Sequence, residues 1–267
     1  MMPTTSPEEL SFEAYQERQL HEITPAGLAA RAAKLRASGR FQWNGRSWTP
    51  SPYNGHAVLA TMDAAAENAD AIRVLAAARD DLIADLGRPH ALYPLPTESF
   101  HQTIANTLSS EKYERLVVER GLEAAYPARV AAVLGELDRS DGPAVDAPAL
   151  RLAGLALFGG AVGALGVFYT EAAFEIVLGF RDRFYGHADI VALGIRRTRP
   201  FIGHVTLAYL ESEPGDSERA RLVEVIGEIN RGLARRELLF AMPRAELRAY
   251  DHLAEFRALP GLPASTL

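Results

Sequence analysis

One pattern decides the fold and occurs twice, in Ser99-Phe100-His101-Gln102-Thr103-Ile104-Ala105 and in Gly203-His204-Val205-Thr206-Leu207-Ala208. Both read histidine, any residue, threonine and an apolar residue, inside runs suited to a strand. On a strand, positions i and i+2 share a face. His101 therefore lies beside Thr103, and His204 beside Thr206, while Ile104, Val205 and Leu207 turn toward packing helices. The same period puts Ala105 and Ala208 next on the histidine faces, where small side chains leave room for a ligand. It assigns Tyr209 to the opposite face, in the core.

Outward from these strands the pattern alternates between strands and helices. Before the first motif come a strand at His56–Met62, an alanine-rich helix at Asp63–Leu86 and a strand at Ala91–Leu95. After it, Glu111–Leu137 reads as a long helix or a helical pair broken at Pro127. Ser140–Pro148 reads as a linker. The second half repeats the scheme. Leu150–Phe158 and Ala161–Tyr169 flank Gly159-Gly160 as a two-residue hairpin, followed by helices at Glu171–Tyr185 and Glu218–Arg236 and strands at Glu237–Met242 and Ala245–Tyr250. Upstream, Thr24-Pro25 marks a helix start, and Asn44-Gly45 between Trp43 and Trp48 signals a type I′ hairpin that the tryptophans pack. The expectation is an α+β fold: two-lobed, with pseudo-symmetric antiparallel sheets, helices on the outside and a central cleft. Residues 1–50 form an accessory segment, and residues 51–267 the two-lobed domain, with lobes at 51–140 and 149–267.

Composition narrows the function classes. With 267 residues, 48% hydrophobic and 23% charged, the chain matches an ordinary globular protein. No apolar run reaches transmembrane length, and the start of the chain lacks the basic and apolar regions of a signal peptide, so a cytoplasmic location is expected. The absence of cysteine removes disulfides, thiolate nucleophiles and cysteine-ligated metal sites. The net charge of −6 and the lack of a basic stripe argue against a long nucleic-acid duplex as partner. The densest basic cluster, Arg196-Arg197-Thr198-Arg199, is short.

Paired histidines suit proton transfer near neutrality, because only imidazole titrates there unperturbed. One ring can take a proton from an attacking water while the other protonates a departing oxygen. The threonine hydroxyls can donate to the non-bridging oxygens of a phosphate. This arrangement requires no metal and no cofactor. A single His-x-Thr is weak, and among 7 histidines one match by chance is unremarkable. Two matches on apolar strands, one in each half, are not.

These motifs resemble the 2H phosphoesterase superfamily, which includes 2′,3′-cyclic phosphodiesterases and 2′–5′ RNA ligase-like proteins. Gly39-Arg40-Phe41 through Asn44-Gly45-Arg46, Pro50–Gly55, Leu95–Thr103 and Gly203–Leu210 are similar to an uncharacterised bacterial cyclic-phosphodiesterase-like branch. The resemblance implies that His101 and His204 are the acid–base pair and that Thr103 and Thr206 bind phosphate. It implies hydrolysis of a cyclic phosphate on a small nucleotide or RNA 3′ end, with no membrane and no obligate protein partner. A nucleotide-sensing protein with little turnover, or RNA end-joining, are the alternatives. Many members place proline before the second histidine, where this chain has Gly203.

Further candidates are Arg199, which either pairs with a phosphate or is a solvated loop residue, and Tyr185 and His187, which either line the cleft or end a helix. His56 and His90 read as structural.

Overall fold

The computed structural model describes residues 7–88, 90–138 and 146–267. Most of the expected linker at Ser140–Pro148 lies outside the described residues. The chain runs through α1 (Phe12–Glu22), α2 (Pro25–Ala32), β1 (Phe41–Trp43), β2 (Trp48–Pro50), β3 (Gly55–Thr61), α3 (Ala69–Asp85), β4 (Leu92–Pro94) and β5 (His101–Ser109). It continues through α4 (Ser110–Tyr113), a π turn at Glu114–Val118, α5 (Tyr126–Leu137), β6 (Ala149–Phe158), β7 (Ala161–Phe168), α6 (Glu171–Gly186) and α7 (Ala188–Ala192). The last elements are β8 (His204–Leu210), α8 (Asp216–Leu233), β9 (Leu239–Ala241), β10 (Arg244–Tyr250), β11 (Arg257–Ala258) and β12 (Ser265–Thr266).

Local chemistry accounts for most boundaries. Thr24 caps α2 by accepting from the Gly27 N–H, with Pro25 in the first turn. Thr170 caps α6 in the same way through Ala173. Pro127 does not break a helix, as the sequence suggested, but stands in the first turn of α5, where its missing N–H leaves no bond unmade. The interruption falls earlier, after the π turn. The Gly159-Gly160 hairpin has the expected two-residue loop, since Phe158 pairs with Ala161. The Asn44-Gly45 hairpin does not. Trp43 pairs with Trp48, leaving a four-residue loop in which the Asn44 side chain accepts from the N–H groups of Arg46 and Ser47, both at 2.9 Å.

The fold is α+β. Two antiparallel sheets carry the two motifs, one ordered β11-β10-β3-β5 with β12 beside β10, the other β4-β8-β7-β6-β9. Helices α5 and α6 pack on the first sheet, and α3 and α8 on the second. Each sheet takes strands from both halves of the chain, since β4 precedes the first motif yet pairs with β8, and β10 follows the second yet pairs with β3. The sheets therefore do not coincide with contiguous lobes at 51–140 and 149–267.

Nor does the N-terminal segment stand apart from the sheets. Tyr15, Leu28, Leu35 and Phe41 belong to the same continuous core as Ile104 and Val205. From α1, the Tyr15 hydroxyl donates to the Gly166 carbonyl at 3.0 Å, and the buried Gln19 amide donates to Gly166 and Gly203 carbonyls at 2.8 and 2.9 Å. These bonds hold the residue that leads into the second motif. A β-carbon on Gly203 would stand 2.5 Å from the Gly166 oxygen and 2.7 Å from the Tyr15 hydroxyl. Glycine is thus required here by the close approach of the Gly166 carbonyl on β7 and of Tyr15 on α1.

Gly203→Ala is therefore expected to destabilise the fold by about 1–3 kcal/mol, the usual range for forced overpacking. Urea unfolding monitored by tryptophan fluorescence reads this as a lower midpoint at unchanged slope; a midpoint equal to wild type would show that the packing around Gly203 yields freely.

Candidate active site

The two motif strands meet at Gln102. This side chain is fully buried, and each of its polar atoms has a partner. Its oxygen accepts from the His204 N–H at 2.6 Å, and its nitrogen donates to the carbonyls of Thr103 at 2.7 Å and Ile202 at 3.0 Å. The carboxamide thus links the strand of the first motif to the start of the second, across two different sheets. A buried amide left without partners would cost several kcal/mol, so this bridge fixes the approach of the two strands.

Both histidines are oriented alike. His101 Nδ1 lies 2.6 Å from the Ser99 carbonyl, and His204 Nδ1 lies 3.1 Å from the Ile202 carbonyl. A carbonyl can only accept, so each Nδ1 carries the proton and each Nε2 is left for chemistry. An aromatic ring flanks each imidazole, Phe256 at 4.2 Å from His101 and Phe158 at 5.1 Å from His204. Surrounding protein pushes both pKa values down to about 4, chiefly by desolvation. Nearby cations add to this, Arg248 for His101 and Arg199 for His204, and the two imidazoles are close enough for His101 to act on His204. Both rings are therefore neutral at pH 7 in the free protein.

The residues beyond each threonine are not those the strand period gives. In β5, Val58 and Leu59 of β3 face Ala105 and Thr103, so Ile104 is an extra residue. In β8, Val162 and Gly163 of β7 face Ala208 and Thr206, so Leu207 is an extra residue. Both motifs carry a β-bulge immediately after the threonine, and each bulge reverses the alternation. Ala105 and Ala208 consequently sink into the core. Asn106 takes the next place on the first histidine face, where it lines an open cleft. Tyr209 takes the equivalent place in β8, with burial raising its pKa to about 12.

The other candidates divide. Arg199 lies near enough to His204 to depress its pKa and lines the cleft, with no carboxylate partner among the described residues. Tyr185 does not reach the cleft. It is buried, and its hydroxyl accepts from the Asn106 N–H at 2.8 Å and donates to the Asn106 carbonyl at 3.2 Å, fixing the bulged strand from behind. His187 pairs with Glu136 and caps α7. His56 is buried at the far end of β3, and His90 stacks on Trp43.

Sequence reasoning missed Arg181. This buried side chain on α6 donates to the Ile104 carbonyl at the bulge, to the Arg199 carbonyl at 3.1 Å and to Glu9 at 2.7 Å. Glu9 in turn accepts from the Phe201 N–H at 2.6 Å. One buried ion pair thereby connects the N-terminal segment, the first motif and the loop into the second. Its sequence signal was an arginine on the apolar face of a helix, between Phe180 and Phe184. No group of three His, Asp or Glu side chains able to hold a metal ion exists among the described residues, and no described helix is long and apolar enough to cross a membrane.

No known family profile matches the chain, and no curated protein matches its sequence. Among solved structures, a conserved protein of unknown function from Agrobacterium tumefaciens str. C58 is similar over 91% of this chain and 97% of its own, at 19% identity and a TM-score of 0.56. Kluyveromyces marxianus Usb1 matches 80% of this chain and 97% of its own, at 12% identity and a TM-score of 0.40. The first likeness shows a shared fold along nearly the whole chain, and the reading of the chemistry rests on the residues of the site itself.

Proposed function

We propose that this protein is a metal-independent phosphodiesterase that opens a cyclic phosphate on a nucleotide or RNA end, in the manner of the 2H phosphoesterases. The observation that carries this reading is the matched state of His101 and His204: two imidazoles, each with Nδ1 tied to a backbone carbonyl and Nε2 without a hydrogen-bond partner among the described residues, each two strand positions from a threonine.

In the reaction, a neutral imidazole accepts a proton from water through Nε2 as the water oxygen bonds to phosphorus. The other imidazole, protonated through Nε2, gives its proton to the ribose oxygen as the P–O bond of the ring breaks. The product is a phosphomonoester, and the site has gained a proton on one ring and lost one on the other. Thr103 and Thr206 donate to the non-bridging oxygens. Charge builds on those oxygens in the transition state, where fixed donors help most. The acid must be protonated first, although neither ring carries a proton on Nε2 at pH 7 in the free site. The phosphate supplies the remedy, since an anion within a few ångströms raises the pKa of an imidazole. Binding and proton uptake are therefore coupled.

Loss of one member of an acid–base pair typically lowers rate by about 10²–10⁴. His101→Ala and His204→Ala are each expected to lose this much turnover of nucleoside 2′,3′-cyclic phosphates in EDTA, measured by chromatography of products. Full activity in either variant, or turnover abolished by EDTA in the wild type, contradicts the proposal.

Coupled protonation gives a second expectation. Sulfate keeps its charge between pH 5 and 8, so its affinity should change only through the protein. The free-site pKa of about 4 rises on binding, so affinity strengthens as pH falls across this range. Calorimetric titration should show proton uptake, absent in His101→Ala/His204→Ala; pH-independent sulfate binding counts against the coupling.

A further inference from the structure

Beyond Asn106 on β5, a cavity of about 620 Å³ has a strongly cationic wall that includes Arg199, the arginine close to His204. Arg40 comes from the N-terminal segment, Lys112 from α4, Arg115 from the π turn, and Arg196 and Arg199 from the loop before β8. Among the described residues, none of the five makes an ion pair with a carboxylate. Several arginines elsewhere on the surface are paired, Arg31 with Glu22, Arg88 with Glu218, Arg221 with Glu224 and Arg257 with Asp251, whereas here five unpaired cations share one wall. Glu111 is the one carboxylate on the wall. In a chain of net charge −6, unpaired cations concentrated in one concave place focus a field that attracts anions.

The backbone here is also unusual. Ser110 at the cavity wall adopts a φ of 52°, a left-handed conformation costly for serine. Arg115 is carried on a π turn, a rare form that is frequent at functional sites. Arg40 rests on the face of Tyr53 at 3.7 Å, which fixes a long side chain without neutralising it. Tyr53 is hydrogen-bonded to Ser109 at 3.2 Å, so the stacked arginine is tied to β5 itself.

The placement fits a second anion on the substrate. Arg199 faces both the cavity and His204. The floor is made by β5 from Asn106 onward; because Ile104 is bulged, Asn106 lies two residues of β3 beyond Thr103, or roughly 7 Å along the strand. That is about the reach of one extended nucleotide unit. We infer that this cavity is a subsite for a further phosphate of the substrate, held by Lys112, Arg115, Arg196 and Arg40, while the histidines engage the reacting phosphate. The inference rests on the phosphodiesterase reading for the identity of the first phosphate. The second phosphate is either the 5′-phosphate of the same nucleotide or the internucleotide phosphate of an RNA end, and both present the same chemistry to the wall.

Calorimetric binding of three product-like ligands separates these sources without requiring turnover: adenosine 3′-phosphate, adenosine 3′,5′-bisphosphate and the dinucleotide ApAp. The wild type is expected to bind at least one of the latter two about tenfold or more tightly than adenosine 3′-phosphate. In Lys112→Gln/Arg115→Gln, confirmed as folded by circular dichroism, that ratio should fall toward one. A gain with the bisphosphate identifies a 5′-phosphorylated mononucleotide, and a gain with ApAp alone identifies an RNA end. Equal affinity for all three in the wild type, or a gain that survives the double substitution, overturns the subsite. A protein that shows the gain but never cleaves cyclic phosphates retains the subsite and loses the phosphodiesterase reading.

Discussion

The site depends on one buried carboxamide. Gln102 occupies the variable place in the first motif, between a histidine and a threonine, and points away from both into the protein interior. There it joins β5 of one sheet to the start of β8 of the other. The Ile202 carbonyl that accepts from Gln102 also accepts from the His204 ring. Seating of the second histidine and spacing between the motifs are thus one hydrogen-bond network. Such networks are stiff when every member is satisfied and costly when one is not. The pair of histidines is held by strands rather than loops for this reason, and the helices around them supply the packing that keeps water from the carboxamide.

Much of this arrangement was legible in the sequence. The alternating apolar pattern around both His-x-Thr segments placed two strands, and the period of two placed each histidine with its threonine. Gly159-Gly160 and Thr24-Pro25 marked a hairpin and a helix start that the structure keeps. What escaped was everything that depends on a partner distant in sequence. Bulges at Ile104 and Leu207 arise from register against β3 and β7, and no local signal marks an extra residue in one strand of a pair. A strict period therefore exchanged Ala105 for Asn106 and Ala208 for Tyr209. The exchange of β4 and β10 between sheets is similarly invisible, because a strand's own residues do not name its neighbour.

Charge was misread for the same reason. Read along the chain, the basic residues form no stripe, and the net charge is negative. In three dimensions Arg40, Lys112, Arg115, Arg196 and Arg199 arrive at one cavity from three separate segments. Net charge describes the long-range field of a protein, whereas a concave wall of unpaired cations determines the field where a ligand sits. An acidic protein can therefore hold an anion firmly at one place and remain indifferent to extended polyanions elsewhere.

The cationic wall and the neutral histidines belong to one electrostatic design. Cations near an imidazole oppose its protonation, and Arg199 and Arg248 act in this direction on His204 and His101. Burial acts the same way and more strongly. An empty site that already held imidazolium would repel its own arginines and carry an uncompensated charge in a poorly solvated place. A bound phosphate reverses each of these terms at once, because it offsets the cations and favours a proton on Nε2. Under the proposed function, the charge for acid catalysis would be assembled by the bound phosphate rather than stored in the protein, and a ligand without an anionic group would leave both rings neutral.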